Sequence, residues 1–192
     1  MIIGLTGLPA SGKATIANYL VTKYSYKQLV FSDIIKNELE KDNILSPKRE
    51  NYKQKALELR QKYGDGALAL LLIKKIKQTD FKIKNNYVLD GIRTMGEVKE
   101  IKYNKGQIWA VTAPIEKRLA WIQARNRDID STLTLNDLKK LDEKELYSAN
   151  SKIGDLNLKA TIDNADITLN NNSEIKHLQN QIESVLQSLS TK

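Results

Sequence analysis

The chain is expected to fold as one α/β domain, a parallel sheet with helices on both faces. Three observations carry that expectation. Short apolar segments rich in Ile, Val and Leu alternate with helical periodicity along the whole chain, the pattern of buried strands joined by crossover helices. A glycine-bearing turn, Gly7-Leu-Pro-Ala-Ser-Gly12-Lys13, lies between the first strand and the first helix. The 192 residues are 41% hydrophobic and 28% charged, enough for one core with little room for two.

Each element has its own signal. Met1-Ile-Ile-Gly-Leu-Thr6 reads as a buried strand. Ile16, Tyr19, Leu20 and Tyr24 then share one helical face between Lys13 and Tyr24. Gln28-Leu-Val-Phe31 is a second strand, and Ser32 is placed to cap a helix carrying Ile34, Ile35 and Leu39. Ser46-Pro47 suits a helix start, because proline's fixed φ and missing N–H cost nothing there. That helix runs through Ala56, Leu57 and Leu59 to Tyr63 and stops at Gly64-Asp65-Gly66. Ala67 to Lys77 is the most apolar helix. Tyr87-Val-Leu-Asp90 is a strand ending in a carboxylate, Val98 and Ile101 mark a short helix, and Ile108-Trp-Ala-Val-Thr112 is another strand. Pro114 opens the next helix, and Thr134 with Asp137 predicts a capping box ahead of Leu138 and Leu141. Asp166-Ile-Thr-Leu169 is the last strand and Asn170-Asn-Asn172 a turn. Ile175, Leu178, Ile182, Val185 and Leu189 form the apolar stripe of a closing helix.

Composition excludes several chemistries. With no cysteine and one histidine, disulfides, thiolate zinc sites, cysteine nucleophiles and histidine metal sites are ruled out. The longest apolar run, Ala67 to Ile73, is too short to cross a bilayer. The apolar start has no basic leader or cleavage site, so the cytoplasm is the expected location. A net charge of +8 suggests an anionic partner. The lysines are dispersed, however, and no run reaches five like charges, so they are read as a solvating surface that binds nucleic acid only weakly. Only six of the 31 basic residues are arginine. Because arginine offers a rigid fork to phosphate, Arg49, Arg60, Arg93, Arg118, Arg125 and Arg127 are candidate phosphate ligands, with surface ion pairs as the alternative. His177 is read as a surface residue, and Trp109 and Trp121 as packing residues.

The glycine turn fits the phosphate-binding pattern G-x-x-x-x-G-K. In such a loop, backbone N–H groups turn inward on phosphate oxygens, the following helix directs its positive end at them, and the lysine neutralises the β/γ charge. The position after Lys13 is Ala14, where many such loops carry a Mg²⁺-holding hydroxyl; Thr15 follows one later. Asp90, at the end of an apolar strand, suits a partner for hydrated Mg²⁺ beside the loop.

The stretch Gly7-Leu-Pro-Ala-Ser-Gly-Lys-Ala-Thr15 resembles the loop of the nucleoside monophosphate kinases, GxPGxGKGT, with Ala10 where those enzymes usually carry glycine. Val88-Leu-Asp90-Gly-Ile-Arg93 resembles their DGFPR segment, one residue shorter. Phe31-Ser-Asp33-Ile-Ile-Lys36 resembles the segment that opens their acceptor-binding helices, with Lys36 in place of the common arginine. Leu59-Arg60-Gln-Lys-Tyr-Gly-Asp-Gly66, paired with Val88-Leu-Asp-Gly-Ile-Arg93-Thr-Met-Gly-Glu97-Val98, resembles an archaeal and bacterial branch of adenylate-kinase-related proteins near dephospho-CoA kinase. Arg118 and Arg125-Asn-Arg127-Asp128 resemble a lid, and Ala165 to Asn171 the final ADxxIxN strand. The resemblance spans Ile3 to about Leu189.

It implies a nucleotide-kinase-like P-loop domain over residues 1–192, with an acceptor-binding insertion near 33–80 and a short lid near 125–136. It implies ATP and Mg²⁺ as cofactors. Gly7, Ala10, Ser11, Gly12, Lys13, Ala14, Thr15 and Arg118 would hold the donor, Arg118 against its base. Asp33, Lys36, Arg49, Arg60 and Arg93 would hold the acceptor, and Thr15 and Asp90 the metal. Lys13, Arg125 and Arg127 would act on the transferring group, with Asp33 as general base for a hydroxyl acceptor. The function it implies is phosphoryl transfer from ATP to a nucleotide or nucleotide-like acceptor. Dephospho-CoA kinase, a nucleotide-binding regulatory module and an RNA-linked ATPase stay open as alternatives.

Overall fold

The computed structural model describes residues 1–80, 84–125, 132–147 and 156–190. In chain order the elements are β1 (Ile2–Thr6), α1 (Lys13–Tyr24), β2 (Lys27–Val30), α2 (Phe31–Lys41), α3 (Arg49–Tyr63), α4 (Ala67–Thr79) and β3 (Tyr87–Asp90). They continue with α5 (Met95–Tyr103), β4 (Gln107–Thr112), α6 (Ile115–Ala124), α7 (Leu135–Leu146), α8 (Leu158–Asp163), β5 (Ile167–Asn170) and α9 (Ile175–Ser190). Among the described residues the sheet is five-stranded, in the order β2-β3-β1-β4-β5, and every pairing is parallel. The expected α/β class is the observed one.

Side-chain alternation divides each inner strand between two cores. Ile2, Tyr87, Leu89 and Ile108 enter the face packed by α2, α3, α4 and α5. Ile3, Leu5, Val88, Trp109 and Val111 enter the opposite face, under α1 and α9. Full burial of each Ile or Leu contributes roughly 1.5–3 kcal/mol, so both faces hold the sheet firmly. Trp109 is wholly buried, as expected, whereas His177 is exposed. No helix among the described residues is long and apolar enough to cross a membrane.

The helix starts differ from expectation in two places. Phe31 opens α2 instead of ending β2; Val30, not Ser32, is the N-cap. The Val30–Asp90 pairing ends the β2 ladder there, and Phe31 turns into the core beside Gly91. Helix α3 begins at Arg49, where Asn51 Oδ1 accepts from Lys48 N at 2.8 Å, two residues after the proline expected to start it. Helix α8 had no sequence expectation. The predicted Thr134–Asp137 capping box is present, with Asp137 N donating to Thr134 Oγ1 at 3.2 Å and Thr134 N to Asp137 Oδ2 at 3.1 Å.

Candidate active site

The parallel register gathers the chemistry at one end of the sheet. Pairing Leu5 with Asp90 puts the carboxylate at the β3 C-terminus beside the strand that runs into the glycine loop. Ligands of open α/β sheets bind outside the carboxyl ends of the strands. Gly12 caps α1 with φ +107°, and a Cβ there would stand 2.3 Å from Asn171 Nδ2. Asn171 is buried and donates to Ser11 O at 3.0 Å, so the segment after β5 braces the loop from behind. Ala10 adopts φ +59°, the left-handed region that glycine enters at no steric cost.

Lys13 Nζ folds back onto the loop, donating to Gly7 O at 2.6 Å and Leu8 O at 3.0 Å. Burial pulls its pKa down to about 8, against the attraction of Asp90. Arg93, Glu145 and Arg118 also act on it, so all four charges lie within electrostatic reach of the ammonium. Burial in turn pushes the Asp90 carboxyl up, opposed by Lys13 and Arg93.

Behind Arg93 the chain interlocks. Glu97 is completely buried. Its carboxylate accepts from Arg60 Nη2 at 2.8 Å, Arg93 N at 2.7 Å and Thr94 N at 3.2 Å. Burial raises the Glu97 carboxyl, opposed by the Arg60 guanidinium and the two backbone donors. Thr94 Oγ1 donates to Asp65 O at 2.9 Å, and Gly96 N donates to Asp65 Oδ2 at 2.8 Å. A Cβ on Gly66 would lie 2.8 Å from Gly96 O, and one on Gly96 would lie 2.4 Å from Gly66 N. The α3–α4 turn and the first turn of α5 therefore touch backbone to backbone.

The lid-side arginine is also enclosed. Arg118 is 2% exposed. Its Nη1 donates to Asp142 Oδ1 at 2.9 Å and to Pro9 O at 3.2 Å, and its Nη2 donates to Asp142 Oδ2. One guanidinium thus joins α6, α7 and the glycine loop. Arg93 is more open: its side chain is 44% exposed, and Nη1 alone meets Glu145, at 2.9 and 3.2 Å.

The AAA-domain family AAA_17 matches residues 6–136. A UPF0200 protein of Pyrococcus horikoshii is 31% identical over 191 residues, covering 97% of this chain and 96% of its own length. One from Sulfurisphaera tokodaii is 31% identical over 186 residues, with 96% and 95% covered. The chain belongs to the UPF0200 family. Among solved structures, TT1252 from Thermus thermophilus superposes on this UPF0200 chain with a TM-score of 0.59 at 18% identity, covering 98% of this chain and 97% of that one. Shikimate kinase from Bacteroides thetaiotaomicron gives 0.59 at 12% identity, covering 99% and 98%. At these identities the likeness is one of fold, a P-loop kinase-like fold.

Not every arginine expected around the cleft of this UPF0200 chain lies open to it. Arg60, expected on an acceptor, is instead 5% exposed and engaged with Glu97. Arg118, expected against the donor's base, is enclosed by Asp142 because the buried cation requires a buried anion. Thr15, expected at a metal, is exposed and faces α9, lining a small cavity of about 180 Å³ with Asn18, Tyr19, Leu178 and Ile182. Ala14 is exposed beside it. Asp33 and Lys36 are exposed on α2, where Lys36 Nζ lies 3.7 Å from Glu40, and Arg49 is exposed at the start of α3. Arg125 is exposed at the end of α6; Arg127 lies outside the described residues. Among the described residues no three carboxylate or imidazole groups cluster as metal ligands. Sequence reading missed Glu97, Asp142, Glu145 and Asn171 as parts of the site. Asn171 and Glu97 had signals, Asn171 as the last residue of the ADxxIxN-like segment and Glu97 within the segment that pairs with Arg60's.

Proposed function

We propose that this chain transfers the γ-phosphoryl group of ATP to a small phosphorylated or nucleotide-like acceptor. The observation that carries the reading is the convergence of Lys13, Asp90 and Arg93 at the mouth of the glycine loop. Lys13 already sits on the loop carbonyls, and its release onto β/γ oxygens exchanges two neutral acceptors for charged ones. The loop amides and the N-terminus of α1 receive the remaining phosphate charge.

Asp90 would hold Mg²⁺, which would supply positive charge against the transferring phosphates. Asp90 fits that ion, since hydrated Mg²⁺ needs only one or two protein carboxylates beside the phosphates. The position of Thr15 does not support a metal role, because two residues along a helix turn its side chain about 200° away from Lys13. Arg93 would grip the acceptor's phosphate, with Lys36 and Arg49 further out on the insertion. Arg125 and Arg127 would stabilise the transferring group. An ionised phosphate acceptor needs no base; for a sugar hydroxyl, as in dephospho-CoA kinases, exposed Asp33 is the candidate base. A cytoplasmic setting supplies the ATP, and polyanionic nucleic acid would bind weakly and lose its hold as salt rises.

The test is a panel of nucleoside monophosphates and dephospho-CoA, each incubated with ATP and Mg²⁺ and followed for label transfer. Transfer to one acceptor well above the rate of hydrolysis supports the proposal. Hydrolysis that no acceptor alters would select the regulatory-module reading instead.

A further inference from the structure

We propose that Glu145 sets a charge threshold on the phosphate site around Arg93, engaging that arginine and yielding it only to a ligand more anionic than a carboxylate. The inference rests on the phosphoryl-transfer reading, in which Arg93 serves the acceptor.

Asp142 and Glu145 stand three residues apart on α7 and so share a helix face. Their arginines differ. Arg118 is buried with both terminal nitrogens on Asp142, and its Nη1 also reaches Pro9 O, which fixes α7 against the glycine loop. That anchorage delivers Glu145 to Arg93. There the engagement is partial, with Nη1 straddling both carboxylate oxygens while the side chain stays 44% exposed. Glu145 is the less exposed partner, at 19%.

The other groups facing this site are Glu97, which accepts from the Arg93 backbone N, and Asp90 and Lys13, which interact electrostatically with Arg93. Glu145 also acts on Lys13. A ligand entering between Arg93 and Lys13 therefore meets cations already part-neutralised by Glu145. A ligand carboxylate offers Arg93 no more than Glu145 does. A phosphate monoester brings up to twice the charge and three acceptor oxygens, and it displaces the glutamate. Glu145 thus acts as a specificity-determining residue that favours phosphate over carboxylate.

The probes are inorganic phosphate and acetate, titrated calorimetrically at fixed ionic strength into the full chain. The variants are Glu145→Gln, Glu145→Ala, Arg93→Ala and the double variant Glu145→Gln with Arg93→Ala, each checked for a wild-type thermal transition. Glu145→Gln is expected to tighten phosphate about three- to fivefold and to tighten acetate by more, narrowing the preference for phosphate. Glu145→Ala should do the same, and the gain should vanish when Arg93 is absent. Unchanged or weaker phosphate binding in both Glu145 variants overturns the proposal, as does a gain for acetate no larger than that for phosphate, or a gain that survives Arg93→Ala. A parallel titration with MgADP separates the two ideas. A chain that does not bind MgADP contradicts the phosphoryl-transfer reading, while the phosphate comparison still decides the role of Glu145.

Discussion

Arg60 of α3 reaches across to Glu97 of α5 and donates Nη2 to its carboxylate at 2.8 Å, with both side chains inside the core. Thirty-seven residues of sequence separate them. The same carboxylate holds the backbone N–H groups of Arg93 and Thr94, so the pair links the helical insertion to the loop that carries Arg93.

Removing one partner leaves an uncompensated buried charge. Arg60→Met is therefore expected to destabilise the fold by roughly 3–5 kcal/mol. Replacing both residues with apolar ones of similar volume should cost less than the sum of the single changes, because the orphaned charge disappears. Urea unfolding of both singles and the double gives the coupling directly. Additive losses would mean that the two residues do not act as a pair.

Ala10 carries the strain of a left-handed backbone, φ +59°. That conformation costs an L-residue about 1–2 kcal/mol, whereas glycine costs about 0.5–1 kcal/mol in unfolded-chain entropy. Ala10→Gly should then raise stability by about 0.5 kcal/mol and leave the loop conformation unchanged. A lower thermal midpoint in the variant would contradict the strain assigned to this position.

Lys13 has a depressed pKa, about 8, because its ammonium is buried against the loop carbonyls. Phosphates restore its charge by supplying anions, so the bound form holds the proton to higher pH than the free form. Binding of MgADP should accordingly take up a proton as pH rises through about 8, with little uptake near pH 6, and affinity should fall above that range. Calorimetry in buffers of differing ionisation enthalpy measures the uptake. Proton release at about pH 9, or none at all, would show that Lys13 is not the group meeting the phosphates.

Much of this arrangement was legible in the sequence where geometry is local. The strand–glycine turn–helix order, the carboxylate ending β3 and the Thr134 capping box all follow from neighbouring residues and their spacing. The burial of charge was not legible. Arg60 sits in a polar helix and reads as an acceptor ligand or a surface ion pair, since nothing nearby announces that Glu97 will bury it. Arg118 reads as a ligand of the donor's base, because Asp142 lies on a different helix. Gly66 and Gly96 show the limit from another side. Each looks like a loop glycine, and only their contact across 30 residues explains why neither position has room for a side chain. Phe31 reads as a strand residue because its apolar character fits either element, and the end of the β2 ladder at Val30 places it in α2.

The central claim is that the glycine loop and Lys13 stabilise a transferring phosphoryl group. The measurement that tests it most directly is turnover of γ-labelled ATP with Mg²⁺ by the wild type and by Lys13→Ala, each confirmed as folded. Loss of this charge-assisted contact in the transition state is expected to cost about 3–4 kcal/mol, a fall of roughly 10²–10³-fold in kcat. Turnover at the wild-type rate in Lys13→Ala would contradict the account.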